Sequence, residues 1–212
     1  MTEIIAGVEI PDTGLVRAAT DLVRESADRV LFDHSRRVYL FGSLKARGRG
    51  LKADPELTYV GAMFHDLGLT GRYRRTDQRF EIDGADLARD FLLDHGRTAD
   101  EARAVWLSIA LHTTPGIVEH LEPEVELVTL GVETDVLGFG LDEIGAGERA
   151  AVVAAHPRAG FKEDILRRFA DGMRERPDTT FGTMNDDVLA HFVPGFERAD
   201  FVEIIRGNSW PE

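Results

Sequence analysis

Cysteine is absent from all 212 residues, which rules out disulfides, thiolate metal sites and cysteine nucleophiles together. Any metal must therefore be held by nitrogen and oxygen. Long apolar runs are missing as well. Nothing approaches the roughly 20 residues of a membrane-spanning helix, and no membrane partner is expected. Positive charge is scarce, with 25 Lys+Arg against 38 Asp+Glu and a formal net charge of −13, so a nucleic-acid backbone would be repelled. The densest basic stretches, Lys45 to Arg49 and Arg72 to Arg75, lie in Gly-containing segments without interleaved aromatics and read as solvated loops. The opening MTEIIAGVEIPDTG has acidic residues and no basic flank, unlike a signal peptide. A cytoplasmic location is the expectation. Alternating strand patterns are nearly absent, apart from a short extended candidate at Arg79 to Ile82.

What is present is ordinary for a globular chain: 43% hydrophobic and 30% charged residues, too apolar for disorder. The length suits one domain over residues 1–212. Helical punctuation is frequent. Residues 12–28 carry Leu15, Ala18, Ala19 and Leu22 at helical spacing, with Asp12 or Thr13 as N-cap. Leu31, His34, Val38 and Phe41 form one stripe over residues 30–46. Asp54-Pro55 is an N-cap followed by proline at the first helical position, and Leu57, Val60, Gly61, Phe64 and Leu67 continue that helix. Asp83-Gly84 opens another, closed by Gly96. Thr98 and Glu101 make a capping box ahead of Val105, Ile109 and His112. A further helix over residues 124–137 carries Val128, Val132 and Asp135. Others follow near 147–155 and 161–174, with short pieces near 185–192 and 197–205. The fold class is all-α.

Polar residues interrupt these apolar stripes. His34, His112 and Asp135 fall on them, and His65 and Asp66 follow Phe64 directly. A buried carboxylate is costly unless it is paired or bound to a cation. Singly, each residue has a plain reading: a hydrogen-bonded core histidine, or an Asp135 that caps a helix or pairs with an arginine. Together, inward acids and imidazoles from separate helices suggest one shared ion.

The stretches FDHSRRVYLFG with His34, GAMFHDLGLT with His65 and Asp66, and VETDVLGFG with Asp135 resemble the HD-domain superfamily of metal-dependent hydrolases. That likeness spans roughly residues 30–138 and implies a helical bundle with His34, His65, Asp66 and Asp135 as metal ligands. RFEIDGADLARDFL and ALHTTPG further resemble the cyanamide hydratase-like branch. The resemblance implies a divalent metal, zinc first, with iron, manganese or nickel compatible with the same donors. It also implies water addition to a small-molecule electrophile such as cyanamide or a related nitrile. Asp66 and His112 are the candidate catalytic groups, with His112 as orienter, proton shuttle or second-metal ligand. Glu81, Phe64, Thr70 and Thr113 are candidates for the pocket or for supporting it.

The alternative on the same scaffold is a phosphomonoesterase or nucleotidase. Leu69 stands where nucleotidase-type relatives carry a Glu, which counts against it, although Arg72, Arg74 and Arg75 would offer a phosphate clamp. A two-iron oxygenase needs more nearby histidines than His112 and His120 supply. A helical scaffold with a purely stabilising metal is the non-enzymatic alternative. The extension over about residues 145–212 is helical, with an aromatic tail (Phe192, Phe196, Phe201, Trp210) that suits a lid, a homo-oligomer contact or completion of the core. His156 and His191 are assigned no catalytic role.

Overall fold

The computed structural model describes residues 2–210. It is all-α apart from one N-terminal hairpin. Strands β1 (Glu3–Ile5) and β2 (Val8–Ile10) pair antiparallel, with Glu3 opposite Ile10 and Ile5 opposite Val8. Ala6 and Gly7 both take positive φ, 52° and 73°, the turn that matches the twist of two paired strands. This hairpin leaves little trace in the sequence pattern, because its strands are three residues each and its turn lacks an Asn-Gly or Asp-Gly signature.

Helix α1 (Gly14–Ser26) is capped by Thr13 and buries Val16, Ala19 and Val23. Helix α2 (Arg29–Arg49) is capped by Asp28 and is buried along most of its length. Lys45 to Arg49 thus form its last turns rather than a loop, and Lys45 is 2% exposed. Helix α3 (Pro55–Phe64) starts at Asp54, whose carboxylate accepts from the Glu56 and Leu57 amides. It stops before His65, so His65 and Asp66 sit in a turn leading into a short 3-10 segment at Leu67–Leu69.

Helix α4 (Phe80–Asp94) begins earlier than expected, with Arg79 as N-cap. Phe80 to Ile82 is therefore helical rather than extended, and Asp83 lies inside the first turns instead of capping them. Its carboxylate has other work: it accepts from the Arg75 amide and Gln78 Nε2 and pairs with the buried Arg176. Helix α5 (Ala99–Ala110) starts at the expected Thr98–Glu101 capping box. Helix α6 (Pro123–Val132) ends five residues sooner than its pattern suggested, and the chain widens into a π-helical turn, Glu133–Leu137. Helices α7 (Ala146–Ala155), α8 (Phe161–Met173), α9 (Asn185–Phe192) and α10 (Phe201–Arg206) follow.

The main core packs α1 to α6 together, with buried Val38, Leu40, Val60, Phe64, Leu92 and Ile109. α2 and α6 cross at contact distance, because both carry glycine at the crossing. A Cβ on Gly131 would lie 2.1 Å from the Val38 carbonyl oxygen, and one on Gly42 would lie 2.4 Å from that of Leu127. Two smaller clusters dock the C-terminal helices over this core. Met173 and Leu189 join Leu69 and Phe80, while Phe161 and Ile165 join Leu31. Among the described residues, no helix is long and apolar enough to cross a membrane.

Candidate metal centre

Three imidazoles from three places in the chain point the same atom at one carboxylate. His34 comes from α2, His65 from the turn after α3, and His112 from just past α5. Each has its Nδ1 tied to an acceptor: His34 to Asp135 Oδ2 at 2.7 Å, His65 to the Ala62 carbonyl at 2.8 Å, His112 to the Ile109 carbonyl at 2.6 Å. A carbonyl or an arginine-paired carboxylate can only accept, so each Nδ1 carries the proton and each Nε2 is left as a lone-pair donor.

Those Nε2 atoms converge on Asp66. His65 Nε2 and His34 Nε2 lie 3.3 and 3.5 Å from Oδ2, and His112 Nε2 lies 3.7 Å from Oδ1. His34 Nε2 and His65 Nε2 are only 3.1 Å apart. Among the described residues neither Asp66 oxygen has a hydrogen-bond partner, although the residue is 2% exposed. Two lone pairs facing each other beside an unbonded buried carboxylate repel unless a proton or a cation sits among them. His34, His65 and Asp66 each offer an atom within 4.8 Å of the others. Such a nitrogen–oxygen set fits a divalent ion.

The electrostatics agree with this. Burial alone would push the Asp66 carboxyl up, yet His65, His34 and His112 hold it below the usual carboxylate range. Burial opposes charge on His65 too, but Asp66, the Ala62 carbonyl and Asp135 together outweigh it and raise the pKa above the usual 6.5. A proton on His65 can therefore occupy the position a cation would take. His34 is lowered, chiefly by burial. Burial and the neighbouring His65 push His112 down to about 4, leaving it neutral around pH 7.

Asp135 occupies a different place from the one its resemblance implies. It sits on the Nδ1 side of His34, across the ring from Asp66. Its Oδ1 accepts from Arg37 Nε at 2.9 Å and Arg158 Nε at 2.8 Å, and its Oδ2 accepts from Arg37 Nη2 at 2.9 Å and from His34. Burial would raise this carboxyl, but His34 and Arg37 hold it well down. Arg37 and Arg158 both stack on Phe161, whose ring lies 5.1 Å from that of His34. A carboxylate behind a ligating imidazole fixes its tautomer and its orientation.

The HD domain family model matches residues 31–155. The chain belongs to the HD domain family. No curated protein matches it. His34, His65, Asp66, His112 and Asp135 all lie within the HD domain.

The remaining sequence candidates separate. Thr113 lines the cavity beside the cluster together with Glu133 and Asn185. Glu81 lies one layer back, fully buried, accepting from Thr113 Oγ1 at 2.5 Å, Arg79 Nη2 at 2.7 Å and Asn185 Nδ2 at 3.2 Å. Phe64 packs into the core against Phe91, and Thr70 bonds the Leu67 carbonyl. Neither is among the residues lining the cavity. Arg72 and Arg74 are also outside it; Arg74 binds Asp171 and Glu175. His156 is satisfied by Asp33 and Arg36, away from the cluster.

Arg37, Arg158 and Asn185 are not among the residues that the sequence pattern singles out. For Arg37 a signal existed: it lies one turn after His34 on the same inward stripe. For Arg158 and Asn185 there was none, because only the docking of the C-terminal helices brings them in.

Proposed function

We propose that this HD domain is a metal-dependent hydratase or hydrolase whose ion is held by His34, His65 and Asp66, and which adds water to a small uncharged electrophile. Cyanamide or a related nitrile is the leading substrate. The supporting observation is the convergence of three lone-pair nitrogens on a buried carboxylate without hydrogen bonds. A divalent ion held there, zinc first, lowers the pKa of water toward about 7 and so supplies a nucleophile at neutral pH.

The chain's own residues do the rest. Asp135 and the Ala62 carbonyl hold His34 and His65 in the tautomer that presents Nε2. His112 Nε2, neutral and adjacent to Asp66 Oδ1, accepts a proton from the attacking water and passes it to the substrate nitrogen. Water addition to a nitrile forms one C–O bond, moves both hydrogens to nitrogen and yields the amide with no leaving group. A phosphomonoester would want a cationic clamp, and among the described residues the cavity is lined by no lysine or arginine but by the acid Glu133. The test is elemental analysis of the purified protein combined with a panel of cyanamide, simple nitriles and nucleoside monophosphates. Urea from cyanamide, or amide from a nitrile, is expected. Phosphate release alone would hand the site to the phosphatase reading.

A further inference from the structure

The cavity against the metal cluster has a volume of about 150 Å³. Val132 and Val136 face it from the HD domain, whereas Leu166, Phe169, Met184 and Val188 come from α8 and the α9 region, beyond the family match that ends at residue 155. Of its neutral polar wall residues, Thr113 Oγ1 and Asn185 Nδ2 both donate to Glu81. The remaining charged wall group apart from the cluster is Glu133, which disfavours an anion. An apolar cavity of about this volume accommodates a molecule the size of benzene, while cyanamide would fill little of it.

We infer that the C-terminal helices make this site selective for an uncharged substrate with an apolar body of up to about six carbons, the reactive group pointing at the His34–His65–Asp66 cluster. The inference rests on the hydration reading for its chemistry, not for its binding preference. The HD domain carries the reacting end, and Phe169 and Val188 read the body. Each methylene added within the cavity gains about fourfold in kcat/KM, as burial of apolar surface requires. Growth past the cavity's size reverses the trend.

The test uses full-length, zinc-loaded protein with cyanamide, acetonitrile, isobutyronitrile, benzonitrile and the anion cyanoacetate. Binding of benzamide, acetamide and inorganic phosphate is measured by calorimetry in parallel. Isobutyronitrile and benzonitrile should exceed cyanamide by at least tenfold, with cyanoacetate poor. Val188→Leu, which narrows the cavity without adding a polar group, should weaken benzamide and benzonitrile several-fold more than it weakens acetamide, with zinc content retained. Val188→Asp should reduce all apolar ligands. A flat series, or cyanamide as best substrate, overturns the inference and leaves the hydration reading intact. Tight benzamide binding lost in Val188→Leu without nitrile turnover upholds the inference and sinks that reading. Phosphate binding tighter than benzamide overturns both.

Discussion

Replacing Asp135 by asparagine separates an orienting carboxylate from a ligating one. In the structure Asp135 accepts four side-chain donors, two on each oxygen. An amide offers one oxygen, so its NH2 must face two of those N–H groups. With the oxygen in the Oδ2 place, His34 and Arg37 Nη2 keep their acceptor, and Arg37 Nε and Arg158 Nε lose theirs. Arg158 has a side chain 29% exposed and can turn to water, but that of Arg37 is 0% exposed. One buried donor left unpaired costs about 1–3 kcal/mol, which for a chain of this length lowers Tm by roughly 3–10 °C. His34 keeps its partner but loses the negative charge behind it, so zinc affinity should drop about 10–100-fold, equivalent to about 1.4–2.8 kcal/mol. Chelator competition gives the affinity, and the absorption of the cobalt-loaded protein reports the donor set. Binding should survive with an unchanged cobalt spectrum, whereas His65→Ala should abolish it. If Asp135→Asn abolishes binding as His65→Ala does, or alters the cobalt spectrum, Asp135 is a ligand and the orienting role is refuted.

Metal affinity should also depend on pH. His65 carries a raised pKa, so below it the ion must displace a proton, and affinity should fall about tenfold per pH unit on the acid side. It should level off above that pKa, which lies beyond the usual 6.5. A zinc titration that is flat from pH 6 to 8 would contradict the assigned protonation. Arg176 bonds the Gly68, Gly172, Arg75 and Gln78 carbonyls and pairs with Asp83 while 2% exposed. Arg176→Met should cost about 3–5 kcal/mol, read as a lower urea midpoint with an unchanged slope. Gly131→Ala should force α2 and α6 apart at a cost of about 1–3 kcal/mol and weaken metal binding by moving Asp135 from His34. Gly48→Ala, where an added Cβ meets nothing within 4 Å, should instead stabilise α2 by about 0.5–1 kcal/mol. Chemical denaturation of the pair tests the opposite signs.

The order of helices, the caps at Thr13, Asp54 and Thr98, and the all-α class were legible in the chain because they depend on near neighbours: apolar spacing, a capping side chain, a proline at the first turn. The same local logic misplaced the start of α4. Asp83-Gly84 looks like a cap, but Asp83 is claimed by Arg176 from far along the sequence. The candidate ligands were legible as well, since a histidine or aspartate on an apolar stripe conflicts with burial unless something compensates it. Residue identity alone did not say which oxygen or ring nitrogen faces which neighbour. Only packing decided that Asp135 stands behind His34 in the grip of two arginines, that His112 reaches the second oxygen of Asp66, and that α8 and α9 wall the cavity. Those are contacts between segments distant in sequence, set by helix crossings and clusters that no local pattern encodes.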